Sequence, residues 1–566
     1  MKNNLDIKHL ILFASILLAA IVTGCATRGA PGGGPEDKTG PEVLRSFPAQ
    51  DSVAVDTLLE YIEIEFSEPV PEGTFKQSLF VSPPLRFEIE WQSAEVVRLL
   101  IRDTLRQEQT YVVTVGAGTT DEHGNKMKNS HSFAFSTGFK IDHGSISGTI
   151  YDLSNEQTAS AFAYLLHDTT DIDPRKRQPL YVSQTGKSGA FHLNFLKEGR
   201  YRIFAVEDLN NNMLYDSRYE RIGIPYRDVR IDSSRLAVNF VDFHLSKRDT
   251  VPPDLVGARA VNNRTINLRF SEPVVLPDSS FILLTDSLTG KSLTVLGWYK
   301  DEEEENNVWV FTQKMDSAAY YRIQPLILKD FNGNMNPNPG RRVIPASTRR
   351  DTTRFRLKEL TPADSAQNIH PETSVRAEFS VAADWATVDS SFVLRLSTGD
   401  TVEGDWHPIS ALKAEFVPSA PLKTDSLYMA ILKLGRVRDL WRTAAQDTTI
   451  RHSFTVISNR ELGEIAGQVV WEGAQAAPVV LHIRKSGQED LPITLHLNKP
   501  GKFYKEALLP GQYFLDAFID LNNNGKYDYG GLEPFEPAEP FYFSADTVRV
   551  RKRWETGGVL LKIPTE

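Results

Sequence analysis

Ten residues recur at one constant offset. Gly189, Phe191, Leu196, Gly199, Tyr201, Asp208, Asn210, Asn212, Tyr215 and Asp216 return as Gly501, Phe503, Leu508, Gly511, Tyr513, Asp520, Asn522, Asn524, Tyr527 and Asp528. A register kept without insertion over such a stretch implies two copies of one folded unit. Elsewhere the dominant signal is alternation. In Tyr61-Ile62-Glu63-Ile64-Glu65-Phe66 the apolar residues share one face and the glutamates the other, the mark of a half-buried strand. Ile266, Leu268 and Phe270 repeat the pattern, as do Val375, Ala377 and Phe379. Short strands, frequent turns and no long amphipathic helix predict an all-β chain of tandem β-sandwiches. At 566 residues a single core is excluded.

A second repeat sets the domain order. Phe66-Ser67-Glu68-Pro69-Val70 is matched by Phe270-Ser271-Glu272-Pro273-Val274, and Asp121-Glu122-His123-Gly124-Asn125 by Asp330-Phe331-Asn332-Gly333-Asn334. A third, more worn copy keeps Phe379-Ser380 and Ser453-Phe454-Thr455 but has Trp441-Arg442 where Gly-Asn is expected. These units resemble the bacterial Ig-like domain of the S-layer (SbsA) type, which implies non-catalytic sandwiches at 40–138, 250–357 and 358–459. The constant-offset repeat, a turn glycine and a short strand followed by Gly-x-Tyr, resembles transthyretin-like and Cna-B-like domains and implies two further sandwiches at 139–249 and 460–566.

The chain's one cysteine, Cys25, follows an apolar stretch from Leu10 to Val22 that is preceded by Lys2 and Lys8. One cysteine excludes an intramolecular disulfide. The stretch has signal-peptide length and falls short of the ~20 apolar residues a membrane span needs. Val22-Thr23-Gly24-Cys25 resembles the lipobox of bacterial lipoproteins, with Val22 where leucine is commoner. That resemblance implies cleavage after residue 24, a covalent lipid on Cys25 and membrane attachment through it. Ala26 replaces the aspartate of inner-membrane retention, which implies the outer membrane, on its surface or periplasmic face. Residues 25–39, rich in Gly and Pro, read as a flexible tether.

Both transthyretin-like units carry Asp-x-Asn-x-Asn-x-x-x-Asp. Asp208, Asn210, Asn212 and Asp216 in one, and Asp520, Asn522, Asn524 and Asp528 in the other, are oxygen donors at alternate positions, with the carbonyls of Leu214 and Lys526 available between them. Such oxygens can converge on calcium, which takes six to eight at about 2.3–2.6 Å. Neither loop has the twelfth-position glutamate of an EF-hand; Tyr219 and Gly531 stand there, and the turn glycine is Gly525 in one loop but Met213 in the other. Weak, structural calcium binding is one reading. An Asx-rich turn is the other.

A net charge of −10 spread over the chain gives no basic surface for nucleic acid. No nucleophile elbow, zinc helix or phosphate loop is present, and Asp121-Glu122-His123 reads as a turn because its counterpart lacks the histidine. Asp301 to Glu305 reads as a solvated hairpin tip. The expectation is a non-catalytic envelope lipoprotein, a stalk or scaffold for a protein partner. The alternative is a glycan-binding lipoprotein, which exposed, coplanar Trp or Tyr rings would favour.

Overall fold

The computed structural model describes residues 38–564 apart from 154–157, 167–171, 187, 248, 250, 278–280, 474–476, 488–491 and 545. Cys25, the apolar stretch before it and most of the tether lie outside these residues. Among the described residues the chain is a series of β-sandwiches, and its α-helices are the short Glu72–Ser78 and Trp385–Asp389. The chain divides into two compact units, one of residues up to Leu214 with Arg230–Asp242, the other Tyr215–Val229 with Phe243 to the end.

In the first unit, strands Val43–Phe47, Tyr61–Phe66, Val96–Ile101 and Phe87–Trp91 form one sheet in that order, facing Leu79–Ser82, Thr110–Val115 and His131–Ser136. Ile62, Ile64 and Phe66 are buried against Val97, Leu99, Val113 and Phe133, so the alternation does place one face inward. Then follow a sheet of Tyr181–Gln184, Ser160–Leu165 and Gly199–Val206 and another of Ala190–Leu196, Gly144–Tyr151 and Ala237–Val238. The junction between these sandwiches is sealed at Gln184, whose backbone N–H donates to Ser130 Oγ while Ser130 Oγ donates to the Gln184 carbonyl.

In the second unit three more sandwiches follow. Leu255–Asn262, Thr265–Phe270, Asn307–Thr312 and Val295–Lys300 form a sheet over Ile282–Asp286, Tyr320–Pro325 and Arg342–Pro345. Leu357–Thr361, Val375–Phe379, Lys413–Pro418 and Gly404–Pro408 lie over Ala366–Ile369, Thr449–Val456, Leu427–Lys433 and Phe392–Leu396. The last sandwich pairs Lys502–Leu508, Gly463–Val470 and Glu555–Lys562 with a sheet built on Val479–Lys485 and Gly511–Ile519.

A buried tyrosine hydroxyl pins each sandwich. Tyr111, Tyr321 and Tyr428 each accept from a backbone N–H five residues earlier, at Arg106, Asp316 and Lys423 (2.8, 2.9 and 2.7 Å). Tyr201 and Tyr513 instead donate to the carbonyls of Lys197 and Leu509, four residues earlier, both at 2.7 Å. The worn third copy therefore keeps the lock of the other two. It keeps the turn as well. Asp439 Oδ1 accepts from Trp441 N and Thr443 N, as Asp121 Oδ1 does from His123 N and Asn125 N. Arg442, at φ +68°, takes the left-handed place of Gly124 and Gly333.

Trp441 has a second use that explains its presence. Its indole Nε1 donates to the Thr312 carbonyl at 2.8 Å and its ring meets Phe311 edge-on, both in the preceding sandwich. Arg264 lies over the same indole, and Lys413 pairs with Glu302 across the joint. The next joint is closed by His370 Nε2 against the Ala507 carbonyl and by Lys505 on Glu372, each at 2.6 Å. Replacing Tyr428 by Phe deletes only a hydroxyl, but it strands the Lys423 N–H. The third sandwich is expected to lose about 1–3 kcal/mol in urea unfolding, and a loss near zero would refute the lock.

Candidate functional site

The Asp520-to-Asp528 segment leaves the long strand Gly511–Ile519 and curls because its side chains bind its own backbone. Asp520, 2% exposed, accepts from Asn524 N through Oδ1 and from Gly525 N through Oδ2, at 3.0 and 2.8 Å. Asn522 Oδ1 accepts from Asn524 N, and Asn524 Oδ1 from Lys526 N. Asp528 Oδ2 accepts the amide Nδ2 groups of both Asn522 and Asn524. Asn523 and Gly525 take left-handed φ of +59° and +74°.

The other segment repeats this on the residues up to Leu214. Asp208 accepts from Asn212 N and Met213 N, Asn210 Oδ1 from Asn212 N, and Asn212 Oδ1 from Leu214 N. Asn211 and Met213 are left-handed at +54° and +59°. Gly525 and Met213 thus occupy one conformation that glycine adopts freely and methionine does not. Asp216 lies beyond the boundary between the two units. Its N–H donates to Glu220 Oε2 at 2.7 Å.

Each segment is backed by a buried glutamate that the motif does not contain. Glu539 is 3% exposed, and its two oxygens accept from Leu521 N (2.6 Å) and Asp528 N (3.1 Å). Burial pushes its carboxyl up to about 7, the two backbone donors oppose the shift, and the charges of Asp528 and Asp520 add to it. Glu220, 1% exposed, does the corresponding service at Asp216. Glu220 follows its aspartate by four residues and Glu539 by eleven, so no constant offset relates them. Burial of an acid after each loop is the signal, and burial is not visible in the sequence.

These donors fit calcium in kind: hard oxygens with carboxylates among them. As they stand, the Asx oxygens serve the turn, and Asp528 is held by two amides that would have to turn their oxygens inward. The described residues bring three carboxylates within 4.8 Å of one another at a different place, Asp249, Glu272 and Asp330. Asp330, 2% exposed, accepts from Asn334 N and Nδ2. Glu272 is pushed up to about 7 by burial, by its hydrogen bond to Asp249, and by the charges of Asp249 and Asp330. The repeated Glu-Pro of the strand end therefore supplies, in this copy, a protonatable group. Beside it opens a cleft of about 550 Å³ lined by Asp249, Lys329, Phe331, Asn524, Lys526 and Tyr529.

Exposed paired tryptophans are not found. Seven of the eight Trp residues are half-buried, and Trp554 alone is largely exposed, at 70%. Tyr299 and Trp309 are nearly parallel at 8°, but they stack on each other and Trp309 Nε1 is bound to Asp301. Asp301 also accepts from Glu303 N and Glu304 N and shapes the acidic run into a hairpin tip.

Residues 37–137 and 351–456 match the bacterial Ig-like domain family. The match includes the worn copy, whose Tyr428 lock and Asp439 turn are intact. Among curated proteins no sequence match is found. Solved structures similar to part of this chain include the N-terminal part of the bacterial S-layer protein SbsC, at 11% identity, 36% of this chain and TM-score 0.16. This chain spans 44% of that one. Native alpha-2-macroglobulin from Escherichia coli is similar at 14% identity over 48% of this chain and 94% of that one, with TM-score 0.17. An L,D-transpeptidase from Mycobacterium smegmatis is similar at 16% identity over 37% and 90%, with TM-score 0.14.

Glu272 offers a pH test. A carboxyl held protonated in the folded chain, at about 7 against an ordinary 4.5, contributes stability that is fully present below 4.5 and is lost as pH rises through about 7. Glu272→Gln keeps a donor for Asp249 and cannot ionise. Its melting temperature is expected to match the parent at pH 4 and exceed it at pH 8. Parallel curves across that range would refute the assignment.

Proposed function

We propose that the chain is a non-catalytic scaffold of the bacterial envelope, held to the outer membrane by a lipid on Cys25 and presenting its sandwiches to a protein partner. The observation that carries this reading is the way neighbouring sandwiches are joined. Trp441, the pair Lys413–Glu302, His370 and the pair Lys505–Glu372 tie one domain to the next with directed contacts. A chain of independent binding heads needs no such joints, whereas a spacer that holds surfaces in fixed order does. The Ig-like family match suits the same role by analogy of fold. Among the described residues no helix is long and apolar enough to cross a membrane. Several acyl chains on one residue suffice, at roughly 0.8 kcal/mol per buried methylene.

Protease shaving of intact cells, read with an antibody to residues 460–566, tests the placement. Loss of the epitope is expected for a surface scaffold. Protection until the outer membrane is opened would move the scaffold to the periplasm. A Cys25→Ser chain that stays bound to the membrane fraction would overturn attachment through a lipid on Cys25.

Within this reading Asp520, Asn522, Asn524, the Lys526 carbonyl and Asp528 take calcium in a structural role, and in the first unit Asp208, Asn210, Asn212 and the Leu214 carbonyl supply the same kind of donors. The support is the oxygen donor set and the buried Glu539, whose neighbouring negative charges a cation would offset. Extracellular sites of this kind bind at about 10⁻⁴–10⁻³ M. At 10 mM calcium, linkage then predicts a stabilisation of about 1.4–2.7 kcal/mol relative to EDTA, smaller in Asp528→Asn. An unchanged melting curve would leave the loops as plain Asx turns.

A further inference from the structure

One sheet of the second Ig-like sandwich has an outer face with a recess. Arg259, Asn267, Trp309 and Tyr299 are successive cross-strand partners over four strands. Directly opposed residues share a face, and Ile266, Leu268 and Phe270 take the inner one, so these four side chains leave the sheet together. Arg269 stands two residues along from Asn267, opposite Gly257. A side chain at Gly257 would project into the space above the sheet, where only the Arg269 Cβ lies within reach. Arg259 and Arg269 are thus diagonal neighbours, about 7–8 Å apart across the sheet, close enough for two guanidinium groups to meet one ligand. Glu303, Glu304 and Glu305 at the hairpin tip line the same cavity of about 810 Å³.

Asn267 makes this more than a charged surface. It is 7% exposed, it lines the recess, and its amide Nδ2 has no hydrogen-bond partner. Native chains seldom leave a buried polar group unmatched, because desolvation is then uncompensated. Arg259 and Arg269 likewise make no ion pair among the described residues, although carboxylates line the same cavity. The recess thus brings together two guanidinium groups without an ion pair, one unmatched amide and a run of carboxylates. A ligand that matches both must carry an anion and a cation. A polyanion would meet the glutamates, and a purely basic segment the arginines.

We propose that this recess binds the carboxyl terminus of a peptide with a lysine or arginine close to its end. The terminal carboxylate takes paired charge-assisted hydrogen bonds from Arg259 and Arg269, the Asn267 amide meets the peptide backbone, and the basic side chain faces Glu303, Glu304 and Glu305. The assignment does not depend on which side of the membrane displays the chain.

Titration calorimetry on the full chain tests it with three probes: acetyl-Ala-Ala-Lys-Ala as the free acid, the same peptide as its carboxamide, and trigalacturonate. The free acid is expected to bind at least about tenfold more tightly than the carboxamide, and Arg269→Ala to weaken it by a similar factor. Asn267→Val should abolish binding while leaving the melting temperature equal or higher, since it removes an unmatched donor from an intact strand. Equal binding of acid and carboxamide, no binding of either peptide, or binding of trigalacturonate in place of the peptide would each overturn the proposal. A lower melting temperature in Asn267→Val would do the same, by giving that amide a structural role.

Discussion

A phenolic oxygen sits where each of these sandwiches turns from a loop into its central strand. The ring is buried between sheets, and the hydroxyl binds the backbone of the loop that precedes it. This fixes the angle at which the chain enters the core, and everything later in the domain inherits that angle. Three copies use the hydroxyl as acceptor, over five residues, and two use it as donor, over four. The difference separates the two domain types more cleanly than their sequences do. A hydroxyl can serve either way, so one residue type supports two loop geometries.

The loops at the far end of the domains obey a related rule. An aspartate whose oxygens accept from backbone N–H groups two to five residues later makes a compact turn without help from the core. Asp121, Asp330, Asp439, Asp208 and Asp520 all do this. Because the aspartate alone fixes the turn, the other positions are free to vary. That freedom is what lets Trp441, one place earlier in the turn than the sequence suggests and level with His123 and Asn332, become the bond between two sandwiches. A residue that looked like decay of the motif is an addition to it.

The all-β class and the sandwich repeats were legible because burial on one face leaves a period of two, as at Ile62, Ile64 and Phe66. The turn character of the Asp-Asn segments was legible because Asx chemistry is local. What escaped were groups whose meaning depends on a distant partner. Glu539 acts on Asp528 and Leu521 after an intervening hairpin, Gly531–Leu532 with Phe535–Glu536, that the other copy spaces differently. In the sequence Glu272 is only one member of a repeated Glu-Pro, and it is burial with the approach of Asp249 and Asp330 that gives it a raised affinity for a proton. No pattern within a single segment encodes such pairings.

Glu539, which is buried, and Glu272, which is half-buried, have their carboxyls pushed up by one physical cause in common. Each lies where a turn aspartate is already buried and satisfied, so a second carboxylate brings negative charge into a place of low dielectric. Either a proton or a cation can relieve that. At Glu539 two backbone N–H groups favour the ionised form and so oppose the shift. At Glu272 the nearest group is another acid, Asp249, and a shared proton is the cheaper solution there. The same element therefore does different work in the two settings, according to whether its neighbours donate or repel.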